Sequence, residues 1–427
     1  MTSTQRWTEW GWALLQLLFV ASFSQAEELV CQQRGDPENP QLSKDGDIIY
    51  NYLKLSTSSL NFRGFQFAQT MIFAIEEINN STDLLPGISL GYKIYDNCDC
   101  MTRSVKVALA LVNGNEVVSV ATEAPCTRPA QVQVILGGTS SSPCMAIATV
   151  IGPFHIPLIS PLATCACLGD KTKYPSFLRT IPSDYYQSRA LAQLVKHFGW
   201  TWVGAIRSND DYGNNGMATF TETAQQLGIC LEYSVSFFRT DPPDKIKKIS
   251  DIIKASTSKV IVAFLAATDM HVLIKELSYY NLTGYQWVGS ESWISDFKTT
   301  EKDTHHILDG AIGLFIPKAQ VSGMREFILD VKTLNSSSNE LFTEFWETLF
   351  NCKFKRSNSS AENQRECTGH EDLTGVKNGF TDMSFMPKLN NVYKGVYAVA
   401  HALHSVLGCN ETCNNKMQLD PLTVSST

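Results

Sequence analysis

The chain has 427 residues, 44% of them hydrophobic, enough for two or three globular domains with full cores, which excludes an intrinsically disordered chain. A net charge of −7 with no basic tract argues against a nucleic-acid or anionic-membrane surface. Twelve cysteines point to an oxidising compartment, since reduced cytosolic chains seldom carry so many.

Residues 1–26 hold Arg6, the apolar run Trp12 through Val20 and then Ser24-Gln25-Ala26, the pattern of a secretory signal peptide, with the mature chain expected to start near Glu27. Asn-x-Ser/Thr acceptors at Asn79, Asn80, Asn281, Asn335, Asn358 and Asn410 agree with secretion. The longest apolar run beyond the signal, Val260 through Ala267, is far short of the ~20 residues that cross a bilayer. As written, the mature chain is expected to be soluble.

Cys31 to Ser59 is polar and turn-rich, with Ile48-Ile49-Tyr50 as a first strand. A helix follows in which Phe67, Met71, Ile75 and Ile78 recur at spacings of three and four, and Gly87 to Asp96 alternates like a strand. The stretch Val134 to Leu136 then runs into Gly137-Gly138-Thr139-Ser140-Ser141-Ser142-Pro143 and a small-residue helix. A strand feeding a helix through glycine leaves unpaired backbone N–H groups at the helix start, an anion site. It lacks the lysine of a phosphate loop, so a ligand carboxylate fits better than a nucleotide; the competing reading is a plain turn whose serines cap the helix.

Ile156 to Ser160 is a short strand ending in Pro161-Leu162-Ala163-Thr164, and Phe177 to Asp184 reads as a strand leaving one domain with Pro182 at the crossing. A second series follows: helix Tyr186–Phe198, strand Trp202–Ile206, Asp210-Asp211-Tyr212-Gly213 before another helix, helix Lys245–Ala255, strand Lys259–Ala266, helix Asp269–Tyr280 and strand Tyr285–Glu291. From Pro317 the chain turns to loops and insertions, and its last clear element is the apolar stripe Val392, Val396, Val399, Leu403 and Val406. Strands alternating with helices of about 10–15 residues imply an α/β chain of two doubly wound parallel sheets with a cleft between them, ligands binding at the carboxyl ends of the strands. Ser141, Thr164, Tyr212 and Glu291 each stand just after a predicted strand.

Several blocks carry a resemblance. Asn61-Phe62-Arg63-Gly64-Phe65, Met71 through Asn79, Ser176 through Pro182, Asp210-Asp211-Tyr212-Gly213, Glu344-Phe345-Trp346-Glu347 and Ala400-His401-Ala402-Leu403 resemble the extracellular domain of class C G-protein-coupled receptors. Ala163 through Leu168 and Tyr185 through Ala190 look nearest to the vomeronasal type 2 and fish olfactory members, and the whole is similar to the calcium-sensing and metabotropic glutamate receptors. The resemblance runs from about Gly46 to Cys413 and implies a bilobed, periplasmic-binding-protein-like Venus flytrap that closes on a free amino acid. Residues 27–181 would form the first part of lobe one, 182–317 lobe two, and 318–427 a return to lobe one that stops before its last strands, with no cysteine-rich or seven-helix region.

The same resemblance implies a site. Ser141 and Thr164, with Thr139 and backbone N–H groups, hold the ligand carboxylate and ammonium from lobe one; Asp184, Tyr212 and Glu291 engage the ammonium from lobe two. A zwitterion needs donors at one end and carboxylates at the other, so the residue types suit the task. Arg63 and Lys388, the latter in a loop-like stretch, match positions where glutamate-sensing members place cations, implying an acidic amino acid; Leu162 and Phe154 add apolar wall. Taken singly, Asp184 reads as a helix cap, Tyr212 as a rim aromatic, Glu291 as a solvated acid and the two cations as surface charges.

Cys352 with Cys367 and Cys409 with Cys413 match family bridges, Cys126 matches an interchain bridge of a lobe-one dimer, and Cys230 matches a cysteine whose partner lies in the cysteine-rich domain. The usual partner of Cys98 is replaced by Thr57, leaving Cys100 or Cys31 to substitute. No metal or cofactor is expected: Cys98-x-Cys100 and Cys165-x-Cys167 have the wrong spacing for zinc, His305-His306 reads as an exposed pair and Asp210-Asp211 as a solvated loop. No hydrolase or nucleotide motif is present, so the chain is not read as an enzyme. The implied function is the ligand-binding module of a chemosensory receptor at the extracellular side of the plasma membrane, a homo- or heterodimer that reaches a G protein only through a transmembrane region. The alternative is a secreted amino-acid-binding protein or truncated decoy.

Overall fold

The computed structural model describes residues 42–44, 48–53, 61–113, 132–294, 296, 305–331, 340–354, 365–414, 419 and 423–424. The signal segment, Cys31, Cys126, Asn335 and Asn358 lie outside these residues. Two sheets organise the chain. The first has six strands: β1 (Leu42–Lys44), β2 (Ile48–Leu53), β3 (Leu90–Tyr95), β4 (Val132–Leu136), β5 (Leu158–Ser160) and β6 (Phe177–Arg179), in the order β1-β3-β2-β4-β5-β6. All pairs are parallel except the edge pair β1/β3. The second sheet is parallel throughout, in the order β11-β10-β9-β7-β8, with β7 at Trp202–Ser208, β8 at Cys230–Phe237, β9 at Val260–Phe264, β10 at Gln286–Gly289 and β11 at Ile312–Gly313.

The inner strands of the second sheet are buried on both faces, and the period-two alternation shows which residue serves which face. Ile206, Ile261, Ala263 and Trp287 pack with α6 (Pro243–Ala255) and α7 (Ala267–Tyr279). Val203, Ala205, Val262 and Val288 pack with α4 (Asp184–His197) and α5 (Asp211–Gln226). In the first sheet, α1 (Phe62–Asn79) and the last long helix, α11 (Met386–Val406), share one core with Leu136 and Ile159. The phenylalanine cluster Phe65, Phe345 and Phe380 sits in that core, with ring centroids 4.6 and 5.3 Å from Phe65. Helix α11 lies close to the sheet because Gly395 has no side chain: a Cβ there would stand 3.2 Å from Leu136 Cδ1. Helices α2 (Met101–Asn113) and α3 (Ser141–Ile151) cover the opposite face.

The expected alternation of strands and helices is present, with shifts of one to three residues at most ends. Several elements went unread in the sequence, among them β1, α2, β8 and β11, and the helices Met324–Leu329 and Glu340–Phe350 correct the expectation of loops and insertions from Pro317. The interspersed Glu232, Ser234 and Ser236 of β8 reflect its place at the sheet edge. Among the described residues no helix is long and apolar enough to cross a membrane.

Three disulfides are formed among the described residues. Cys352–Cys367 and Cys409–Cys413 match the expected bridges, and the third, Cys165–Cys167, puts that pair into a covalent bond rather than a metal site. No group of three or more metal-capable side chains occurs among the described residues. Cys98 is buried with its thiol 3.6 Å from Asp96 Oδ2, and burial pushes its pKa up to about 11. Cys230 is exposed and pairs with no described cysteine. Of the glycosylation acceptors, Asn79 uses both ends of its amide on the Leu90 backbone, while Asn80, Asn281 and Asn410 are exposed.

Candidate functional site

Parallel strands deliver their carboxyl ends to one edge of a sheet, and a ligand crevice opens where neighbouring connections run to opposite faces. In the first sheet β4 ends in Gly137-Gly138 and leads into α3 at Ser141. The first glycine is needed because its missing Cβ would meet Leu158 Cδ1 at 3.0 Å and Cys144 Sγ at 3.3 Å. Ser140 stands at the N-cap position but its hydroxyl makes no capping bond, so the plain-turn reading with capping serines does not hold for it.

The residues singled out from the sequence are joined through a ring of contacts. Ser141 is buried and its Oγ accepts from the Cys165 backbone N–H at 3.3 Å. One residue earlier, the buried Thr164 has its carbonyl bonded by the Asp184 N–H at 2.8 Å, which carries the chain from lobe one to lobe two. Asp184 Oδ1 accepts from Gln187 Nε2 at 2.8 Å, and Gln187 Oε1 accepts from the Glu291 N–H at 2.8 Å. Next to Glu291, Ser290 Oγ accepts from the Tyr212 hydroxyl at 2.8 Å. The ring closes where the Asp211 carbonyl lies 3.8 Å from Cys165 Sγ, a contact and not a hydrogen bond because the sulfur is in a disulfide.

Tyr212 is held by burial, not at a rim: its ring lies 4.8 Å from that of Phe264 and it belongs to the lobe-two core. It is placed there by Gly213, whose Cβ would overlap the Ser208 carbonyl oxygen at 2.2 Å; only glycine lets α5 start this close to β7. Asp184 is fully buried and is the first residue of α4, behind the N-cap Ser183. Its Oδ2 is buried and accepts no hydrogen bond of normal geometry from a described residue, although the Thr164 hydroxyl still favours the ionised form.

Electrostatics follow from this packing. Burial, and then the charge of Glu291, push the Asp184 carboxyl well above its usual range, against the pull of Thr164, Gln187 and Arg179. Burial also raises Glu291, while Lys388 and the Gln187 amide draw it back. Tyr212 is raised by burial and by both carboxylates, so it stays a neutral donor. Asp184 and Glu291 are thus two buried carboxyl groups whose charges oppose each other, with the Lys388 cation acting on Glu291.

Lys388 corrects the sequence expectation of a loop. It stands in the first turn of α11, behind Pro387, and is 7% exposed. Its Nζ donates to the Ser292 carbonyl of lobe two at 3.4 Å and lies 4.5 Å from the Phe385 ring centre. Burial lowers its pKa, and Glu291 and Asp296 raise it. Arg63 has a different fate. It is bonded through Nη2 to Asp382 Oδ2, donates from Nη1 to the Asp382 carbonyl at 3.0 Å and stacks over Phe385 at 3.7 Å. Leu162 packs on the lobe-one core at the end of β5, and Thr139 is half-buried in the turn before α3. Phe154 is exposed at the far end of α3, about 15 Å of helix from Ser141, and adds no wall to the site.

Two residues missed in the sequence shape the site. Gln187 ties Asp184 to Glu291 as described. Arg179, at the end of β6, donates from Nη1 to the carbonyls of Thr164 at 2.9 Å and Cys165 at 2.8 Å, fixing the loop that presents Thr164. A further contact between the lobes joins Arg239 Nη2 to Asp99 Oδ2 at 3.5 Å.

Comparison with known proteins agrees with this architecture. The receptor family ligand binding region matches residues 66–425. The human extracellular calcium-sensing receptor is 34% identical over 392 residues, covering 86% of this chain and 36% of the receptor. Rat metabotropic glutamate receptor 6 is 31% identical over 363 residues, covering 81% of this chain and 41% of its own. Mouse metabotropic glutamate receptor 4 is 28% identical over 435 residues, covering 96% and 47%. The chain therefore spans less than half the length of these relatives. It belongs to the receptor family ligand binding region, in the bilobed Venus flytrap form of the extracellular domains of class C G-protein-coupled receptors.

Proposed function

We propose that the chain binds a free amino acid between its two lobes, as the ligand-binding part of a chemosensory class C receptor. One observation supports this above the others: the hydroxyl residues Ser141 and Thr164 are joined, through the Cys165 N–H on Ser141 Oγ and the Asp184 N–H on the Thr164 carbonyl, to a buried pair of carboxyl groups, Asp184 and Glu291, bridged by Gln187. A zwitterion is the small molecule that satisfies both halves at once. Charge-assisted hydrogen bonds of this kind contribute about 1.5–3 kcal/mol each. Because the carboxylates sit on the lobe opposite the hydroxyls, a bound ammonium favours the closed arrangement, and differential contact is what allows a ligand to shift an equilibrium.

The preferred side chain in this reading is acidic. Lys388 supplies the cation for it, since Arg63 is already neutralised by Asp382. Closure would then be passed through a dimer to the membrane part of a longer receptor, as an extracellular event.

A thermal-shift titration with the twenty amino acids tests the reading, because a ligand bound only by the folded state raises the melting temperature by mass action. Glutamate or aspartate is expected to stabilise the wild type in a dose-dependent way and to lose that effect in Lys388→Ala. Stabilisation by neutral or basic amino acids alone would discard the role of Lys388 and keep the site. A folded protein whose melting no amino acid moves would refute the reading.

A further inference from the structure

We propose that the Cys165–Cys167 bridge is a thiol-exchange site, through which a small thiol of the glutathione class loosens the lobe-one side of the cleft. Its effect on affinity rests on the amino-acid reading of the cleft; the exchange itself does not. Cys165 follows Thr164 directly, and its N–H bonds Ser141 Oγ at 3.3 Å. The partner cysteine is two positions on, at the start of the 3-10 turn Ala166–Gly169. A ring this small removes little freedom from the unfolded chain, so the bridge adds little to global stability and acts on the local backbone.

The two sulfurs differ in access. Cys165 is fully buried and its Sγ lies 3.8 Å from the Asp211 carbonyl oxygen of lobe two, whereas Cys167 is half-buried, in contact with Met145 at 3.4 Å between sulfurs. A thiolate therefore attacks Cys167 Sγ. The S–S bond breaks, its electron pair leaves on Cys165 Sγ, and that sulfur takes up the proton the attacking thiol lost. A second thiol then displaces the first from Cys167, so two thiols become one small disulfide as the bridge is reduced. The sulfur that leaves is the one packed against lobe two. Arg179 still holds the carbonyls of Thr164 and Cys165, at 2.9 and 2.8 Å, which keeps the loop on lobe one. The Cys165 N–H loses the ring that aims it at Ser141, and a ligand then has to order that backbone again. Of the other described bridges, Cys352–Cys367 is buried at both ends, and Cys409–Cys413 lies past the end of α11, about 30 Å along the helix from Lys388.

The test incubates the full chain with reduced glutathione and reads it by iodoacetamide alkylation with peptide mass spectrometry, by hydrogen exchange and by binding of labelled L-glutamate. Cys165 and Cys167 are expected to become alkylated or glutathionylated, exchange in residues 164–169 to quicken, and glutamate affinity to fall at least tenfold and return with oxidised glutathione. The double variant Cys165→Ala, Cys167→Ala is expected to bind about as weakly as the reduced wild type and to be unmoved by glutathione; should it not fold, the reversal in the wild type carries the test. A bridge that glutathione leaves intact, an opened bridge with unchanged exchange and affinity, or an equal glutathione effect on the double variant would overturn the inference and leave the amino-acid site standing. A wild type that binds no glutamate, yet whose bridge opens with quickened exchange, would refute the amino-acid reading and leave the exchange site standing.

Discussion

Replacing Gly213 by alanine is the sharpest test of how the fold makes the site. A Cβ at this position would lie 2.2 Å from the Ser208 carbonyl oxygen and 2.6 Å from its nitrogen. Carbon–oxygen contacts in proteins settle at about 3.3–3.6 Å, so helix α5 must retreat from β7 by roughly 1 Å. Neither neighbour is the free end of a flexible side chain; both belong to the backbone of a central strand. Overpacking of this kind costs about 1–3 kcal/mol, and a further ~1 kcal/mol goes with the cap that Asp210 Oδ1 makes to the Gly213 N–H at 2.8 Å. A domain of some 150–250 residues loses about 2–4 °C of melting temperature per kcal/mol, which gives a fall of roughly 4–16 °C. The same retreat carries Tyr212 out of reach of Ser290, so ligand affinity falls by about tenfold, the equivalent of ~1.4 kcal/mol. Gly152→Ala is the control: its backbone is helical at φ −50°, no atom lies within 4 Å of a new Cβ, and the change is expected to be neutral or to stabilise by up to ~1 kcal/mol. Scanning calorimetry with and without ligand reads both variants. A Gly213→Ala protein that melts and binds like the wild type would refute the close approach from which the placement of Tyr212 is argued.

Three further outcomes are expected. A ligand ammonium lowers the raised pKa values of Asp184 and Glu291, so binding should expel protons and affinity should be weaker at about pH 5.5 than at about pH 7.5; titrations in buffers of different ionisation heat that show no proton release would contradict this. Asp269, buried between Ser208 and the Arg239 N–H, has its pKa raised to about 6. A carboxyl raised in the folded state contributes stability below its unfolded pKa that is lost as pH rises through the folded one, so Asp269→Asn should flatten the decline in melting temperature from about pH 4 to 7; an unchanged slope would remove Asp269 from the account. The Arg239–Asp99 pair between the lobes is partly exposed, at 25% and 15%, and is worth no more than about 1 kcal/mol; Arg239→Ala should weaken ligand binding by at most about fivefold, and the difference should vanish in high salt.

Much of this was legible in the sequence because parallel strands punctuate the chain clearly. Ser141, Thr164, Tyr212 and Glu291 each follow an apolar run, but it is the resemblance to class C receptors that singles them out together with Asp184; the structure brings all five into one ring of contacts. What stayed hidden depends on partners far away in the sequence. A glutamine in the first turn of a helix gives no signal, and Gln187 acquires meaning only when Glu291 is folded against it. Arg179 looks like the polar end of a strand until its guanidinium is seen on the carbonyls of Thr164 and Cys165. Lys388 was misplaced because the apolar stripe starts at Val392, so the first turn of α11 read as loop. Pro387, which suits the first turn of a helix, was the available clue. The edge strand β8 lacks a continuous apolar run, since only the inner strands are buried along their whole length.

The account stands on two ends of one ligand being held by opposite lobes. Equilibrium binding of labelled L-glutamate to the wild type, Ser141→Ala and Glu291→Ala measures this most directly, with melting curves to show that each is folded. The account predicts saturable binding of one ligand per chain in the wild type and a loss of at least tenfold in either variant, since each substitution removes about 1.5–3 kcal/mol of charge-assisted bonding. Variants that fold and bind as tightly as the wild type would contradict it and move the ligand away from the Ser141–Glu291 ring.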